Sequence, residues 1–182
     1  MIMNKIAGKL RGLPPVKKTL LILLPALAAA YLSAGWIAAK FIIVNLTPSM
    51  PGHLYLKVRG QPRTGDVILY CPAGRTRKIL DTIGFTMPNA QCPDGKIGLI
   101  KQIAAMPGDQ VNADGIRDME VNGKALEGSR ADPLTRLPPW KWEGTIPEGR
   151  FLLLGKTRDS FDSRYFGLLD TGGAASVLME VF

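Results

Sequence analysis

From Thr19 to Ala39 the chain runs TLLILLPALAAAYLSAGWIAA, 21 residues without one charged side chain. At about 1.5 Å per residue, a helix of that length spans the roughly 30 Å hydrocarbon core of a bilayer. A chain of 182 residues that commits this much to lipid has room for one further domain and little more. Pro25 lies in the second turn of the stretch, where lipid tolerates a kink. Trp36 lies near its outer end, where belt aromatics gather. Ala28-Ala29-Ala30 and Ser33-Ala34-Gly35 would suit cleavage of a signal sequence. The run nevertheless exceeds the roughly 7 to 15 apolar residues of such a segment. A retained single-pass anchor is expected. Phe41-Ile42-Ile43-Val44 beyond it either dips into the membrane, extends the helix or feeds the core of the external domain.

The net charge of +8 does not point to nucleic acid. Five of the 23 Lys and Arg (Lys5, Lys9, Arg11, Lys17 and Lys18) lie in the first 18 positions, where there is no acid, and the other 18 face 15 Asp and Glu. No RNA- or DNA-binding signature accompanies them. A basic leader before an apolar helix keeps the N-terminus in the cytoplasm and sends the rest outside. The expected plan is a leader at 1–18, a transmembrane helix and membrane exit at 19–44, and an external domain at 45–182.

Beyond residue 53 the pattern changes to short strands between turn residues. LYLKV at 54–58, DVILYC at 66–71, GLIKQIAA at 98–105, RFLLLG at 150–155 and SVLMEV at 176–181 each read as a strand. Asn122-Gly123 within MEVNGKAL is a hairpin signal. No external stretch sustains a helical period, so a mainly β, antiparallel domain is expected on one N-terminal helix. Segment 72–97 reads as an inserted loop or subdomain, and 127–149, with four prolines and two tryptophans, as an irregular extension. Cys71 and Cys92 bound the insert. Two Cys and one His do not build an ordinary zinc site. In an oxidising compartment they would close a loop of roughly 20 residues as one disulfide; the alternative is two buried thiols.

Candidates for chemistry are few. His53, the lone histidine, follows Ser49 by four residues across Gly52 at the start of a strand, which fits a loop residue better than a base. No phosphate-binding GxxxxGKS loop occurs. Serine chemistry with a different base remains. Strand alternation puts Lys101 on one face with Leu99 and Ile103. Apolar neighbours penalise its ammonium form and lower its pKa. A lysine brought from about 10.4 to about 7–8 can take a seryl proton. The alternative is an edge-strand lysine that discourages aggregation.

Three stretches together resemble the type I signal peptidase family, membrane peptidases with a Ser/Lys pair. Ser49-Met50-Pro51 is similar to the nucleophile motif S-M-x-P in shortened form. Lys101-Gln102-Ile103 through Pro107-Gly108-Asp109 resembles the box K-R-I-x-G-x-P-G-D, and Gly155 through Gly167 (GKTRDSFDSRYFG) resembles the box ending S-x-D-S-R-Y-x-G. Gly65-Asp66-Val67-Ile68 fits a strand between them. The resemblance implies Ser49 as nucleophile and Lys101 as base. It implies Thr47 with the Ser49 N–H as oxyanion donors, and Ser160 and Asp162 as supports of the lysine. For the last two, turn polarity and a local Asp162–Arg164 pair are the alternatives. No cofactor or metal is implied.

Gln102 stands where the family has Arg, and Lys156 where it has an acid, so the usual ion pair is gone. The short motif, small size and Cys-bounded insert most resemble the plasmid conjugative-transfer (TraF-type) branch. That resemblance implies a periplasmic peptidase of the bacterial inner membrane that matures a pilin precursor, in some members joining its ends into a ring. Its partners would be pilin precursor, membrane lipid and other conjugation or type IV secretion components. Two rivals stand beside it: a general leader peptidase for exported preproteins, and a catalytically inert component of the pilus assembly machinery.

Overall fold

The computed structural model describes residues 14–85, 91–92, 94–135, 137–170 and 175–181. Most of the basic leader, including Lys5, Lys9 and Arg11, and residues 86–90 and 93 of the Cys-bounded insert lie outside the described residues. The chain divides into two units between Phe41 and Ile42. The first holds one helix, α1 (Pro15–Phe41), which is long and apolar enough to cross a bilayer. Near its end the Lys40 ammonium lies 3.5 Å from the centre of the Trp36 ring, a cation–π contact.

The second unit is mainly antiparallel β. Its larger sheet contains β1 (Ile42–Val44), β2 (Leu54–Val58), β3 (Val67–Tyr70), β4 (Leu99–Ala105), β9 (Arg150–Leu154), β10 (Leu169–Asp170) and β11 (Ala175–Glu180). Their order across the sheet is β1-β2-β11-β3-β4-β9-β10. A smaller sheet, order β7-β6-β5-β8, joins β5 (Gln110–Ala113), β6 (Glu120–Val121), β7 (Lys124–Ala125) and β8 (Trp142–Thr145). Between β6 and β7, Asn122 and Gly123 take φ of 51° and 73°, the two positive values that a tight twisted hairpin requires.

The order puts β4 inside the sheet. Ile68 of β3 lies opposite Lys101 on one side, and Leu154 of β9 opposite Gln102 on the other. Lys101 is therefore not an edge-strand lysine. Two apolar clusters hold the sheet around it: Ile68, Leu99, Ile103 and Leu153 in one, and Met50, Tyr55, Leu69 and Ile100 in the other.

The plan departs from expectation in four places. Ile42–Val44 does not continue the helix; these β-branched residues pair with Leu54–Leu56 as an edge strand, and Ile43 feeds the core of the domain. The insert contains a helix, α2 (Gly74–Thr82), whose inward face is Thr76, Arg77 and Leu80. Apolar periodicity did not reveal it because Arg77 occupies an inward position, giving Nη2–H to Ile97 O at 2.8 Å and Nε–H to Pro72 O at 3.3 Å. Short α3 (Ser163–Phe166) lies within the last box. The extension at 127–149 supplies β8, paired to β5.

Cys71 and Cys92 form a disulfide, with Cα atoms 5.6 Å apart. Replacing both with Ser should lower unfolding stability by about 3 kcal/mol, the chain-entropy value for a loop of this length. Denaturant unfolding of the two proteins under oxidising conditions measures this difference.

Candidate active site

Ser49 lies in the connection from β1 to β2, and Asn45 organises that connection. Its N–H donates to His53 O at 2.9 Å, closing the loop. Its side-chain Nδ2 donates to Met50 O and to Gly52 O, both at 3.0 Å. Its Oδ1 accepts from the Thr47 N–H at 3.1 Å. Met50 sinks into the core and the Tyr55 hydroxyl donates to Pro51 O. Gly52 turns the chain at φ 76°, and a Cβ there would lie 2.5 Å from Glu180 Oε1. From the other side, the Lys156 N–H donates to Ser49 O at 2.7 Å. The serine between two prolines is thus fixed by its backbone from both sides. His53 is exposed and serves the loop through its carbonyl.

Against this serine stands the amine of Lys101, a residue only 3% exposed. Its Nζ lies 3.2 Å from Ser49 Oγ and 2.7 Å from Ser160 Oγ. Burial lowers its pKa from 10.5 to about 8; the Asp162 carboxylate opposes that shift and the Arg164 guanidinium adds to it. At pH near 7.4, a lysine at about 8 is uncharged in about a fifth of molecules, against roughly one in a thousand for a free lysine. An uncharged amine can give one N–H to Ser160 and accept the Ser49 hydroxyl proton on its lone pair.

Of the two expected supports, Ser160 touches the lysine and Asp162 holds the structure behind it. Asp162 is fully buried, and its Oδ2 accepts from the Gly155 N–H at 2.7 Å while its Oδ1 accepts from the Arg164 N–H at 3.0 Å. Arg164 Nη1 lies 3.2 Å from the same carboxylate, so the local ion pair is also present. Burial raises the Asp162 pKa, opposed by Arg164, Lys101 and the two amide N–H groups. The hydrogen bonds shape the turn that carries Ser160, while the charge reaches Lys101 through space. Gly155 is needed for the fit: a Cβ there would lie 2.1 Å from Ser160 Oγ and 3.0 Å from Ser49 O. The lost family ion pair is replaced by a charge-assisted hydrogen bond, Lys156 Nζ to Gln102 Oε1 at 2.6 Å.

Thr47 Oγ1 donates to Asn45 Oδ1 at 3.1 Å and lies within hydrogen-bond distance of Ser49 Oγ, at 3.0 Å. Beside Ser49 opens a cavity of about 150 Å³, with a mainly apolar lining that includes Val44, Leu46, Phe85, Leu99 and Phe161. Among the described residues, no three His, Cys, Asp or Glu side chains come together as metal ligands would. Asn45 and Gly155 escaped the sequence reading. Asn45 stood in plain view beside the serine motif, but its role lies in hydrogen bonds to a loop whose path the sequence does not state.

Comparison with known proteins gives a consistent result. The family model described as "Signal peptidase, peptidase S26" matches residues 16–177. The conjugal transfer protein TraF of Agrobacterium tumefaciens (strain 15955) is 28% identical over 88% of this chain and 90% of its own length. The probable conjugal transfer protein TraF of Sinorhizobium fredii is 29% identical over 85% of this chain and 82% of its own. A signal peptidase I crystal structure from Enterococcus faecalis V583 covers 66% of this chain and 98% of its own, at 20% identity and a TM-score of 0.39.

Two outcomes test the geometry. Asn45→Ala leaves the carbonyls of Met50 and Gly52 unpaired in a buried site; about 1 to 3 kcal/mol of stability should be lost. Turnover of any peptide substrate should fall about a hundred-fold as the serine drifts. Lys101→Met removes the cost of burying an ammonium, up to about 3 kcal/mol near neutral pH. The unfolded chain holds that proton up to pH 10.5 and the folded chain only to about 8, so wild-type stability climbs with pH across this window. The advantage of Lys101→Met should therefore shrink over the same window in denaturation measured as a function of pH.

Proposed function

Since this chain belongs to the signal peptidase family, peptidase S26, we propose that it is a membrane-anchored serine endopeptidase in which Ser49 and Lys101 form the catalytic pair, and that it matures the pilin precursor of a conjugation apparatus. One observation carries the catalytic part: a buried amine 3.2 Å from a serine hydroxyl that a rigid loop presents to it. Ser49 Oγ attacks the scissile carbonyl as Lys101 takes its proton. The oxyanion receives hydrogen bonds from the Ser49 N–H and the Thr47 hydroxyl, which leaves Asn45 Oδ1 to make its bond; such donors are worth about 3 to 4 kcal/mol in the transition state. As the intermediate collapses, Lys101 returns the proton to the departing amine and an acyl-Ser49 ester remains. Water releases it or, where a free amine of the pilin is seated closer than water, that amine does so and closes a ring.

The pilin substrate is inferred from the relatives, which are conjugal transfer proteins. The basic leader supports an N-terminus in the cytoplasm, and the disulfide supports a periplasmic catalytic domain. Membrane lipid around α1 and other conjugation components are the partners this reading implies.

Cells carrying only Ser49→Ala should accumulate uncut pilin precursor; normal maturation in them would exclude the peptidase. The mass of the mature pilin then separates hydrolysis from ring closure, which differ by one water. In vitro, cleavage should rise with pH to a plateau with its midpoint near 8, because only the uncharged Lys101 accepts the seryl proton. A rate still climbing beyond about pH 10, the range of an ordinary lysine, would contradict the role of burial.

A further inference from the structure

The cavity beside Ser49 has a wall that belongs to neither the serine loop nor the lysine strand. Phe85 and Gln91, both from the segment closed by the Cys71–Cys92 disulfide, line it together with Phe161. The part of it that carries Phe85 is firmly attached. Leu80 is fully buried in the main core, Arg77 donates to Ile97 O, and the Phe85 N–H donates to Leu80 O at 2.9 Å. The rings of Phe85 and Phe161 meet edge to face with centroids 5.8 Å apart, so Phe85 is buttressed from the last box. At the other end of the segment, the Gln91 N–H donates to Lys96 O at 3.2 Å.

The side chain of Gln91 makes one long-range contact: Nε2 donates to the Val44 carbonyl at 3.1 Å. Val44 belongs to β1, which among the described residues ends the larger sheet and pairs only with β2. The Asn45 N–H bonds to His53 O, and Ile43 lies opposite Tyr55. Hydrogen-bonded residues alternate along an antiparallel pair, so Ile43 and Asn45 face β2 and the polar groups of Val44 face the open edge. That edge runs into the serine loop and lines the same cavity. A peptide lying along it as an added strand must give an N–H to the Val44 carbonyl. The Gln91 amide already fills that place.

We propose that Phe85 and Gln91 are selectivity residues of the peptide cleft: Phe85 limits the side chain that enters beside Ser49, and Gln91 holds the Val44 carbonyl until a substrate strand displaces it. The inference rests on the peptidase reading above and adds the residues that choose among peptides. Phe85 acts by size, since removing its ring enlarges a cavity of only about 150 Å³. Gln91 acts as an internal competitor for one hydrogen bond.

The test uses full-length protein and synthetic peptides that span the cleavage site and differ only in the residue whose carbonyl is attacked: Ala, Leu or Phe. Wild type should prefer Ala. Phe85→Ala should move the Leu-to-Ala ratio of kcat/KM toward Leu by about ten-fold or more, and Phe85→Leu by less, as expected for changes of a few methylenes in an apolar pocket. Binding of the uncut Ala peptide to Ser49→Ala protein tests Gln91 without turnover. Adding Gln91→Ala should tighten Kd about three-fold, the effect of one competing hydrogen bond. Unchanged ratios in both Phe85 variants, or a Kd that stays level or weakens, would overturn the proposal. Failure of the wild type to cut any peptide would count against the catalytic role of Ser49 instead, and the binding comparison would still decide the part played by Gln91.

Discussion

Burying an amine is unfavourable when it carries charge, and the groups around Lys101 together decide how often it does. Its strand is paired on both sides, so the side chain cannot swing out to water without breaking the middle of the sheet. The charges around it act in opposite directions: the Asp162 and Asp159 carboxylates raise its pKa and the Arg164 guanidinium lowers it. Desolvation outweighs them. The site thereby keeps a base that is mostly dormant but available near neutral pH. A histidine would supply that property without burial, but the only histidine of the chain lies exposed on the loop.

A base in a rigid strand is useful only if its partner is equally fixed. The serine loop meets this need through its own backbone: Asn45 gathers three of its residues, and Lys156, next to Gly155 in the last box, holds the carbonyl of Ser49. The same Lys156 reaches Gln102, the neighbour of the base, through its side chain. One residue thus touches both the backbone of Ser49 and the strand of Lys101.

Much of this was legible in the sequence. Short apolar runs and Gly/Pro punctuation located the central strands because both faces of those strands are buried. Asn122-Gly123 specified its hairpin through the backbone angles that these two residues tolerate. The apolar flanks of Lys101 indicated a desolvated amine. What stayed hidden was structure whose signal lies in pairing. Ile42-Ile43-Val44 follows the long apolar helix without a change in composition, and only its partner strand marks it as β. The α2 helix buries an arginine that two distant carbonyls satisfy, which no hydrophobic pattern encodes. Asp162 fits either an orienter of the lysine or the partner of Arg164 when read along the chain. In the folded protein it bonds Arg164 and Gly155 directly and acts on the lysine by its field.

The guanidinium of Arg164 extends these connections beyond the catalytic sheet. Nη1 donates to Thr157 O at 2.7 Å, while Nη2 donates to Gly155 O at 3.0 Å and to Gly128 O at 3.1 Å. Gly128 comes after the β6–β7 hairpin, in the stretch that leads toward β8. The smaller sheet is therefore wired to the turn that seats Ser160. Trimming it to obtain a minimal fragment would take away the Gly128 carbonyl and leave the buried Arg164 with one acceptor fewer, loosening the turn from behind, so this appendage and the site have to be inherited together.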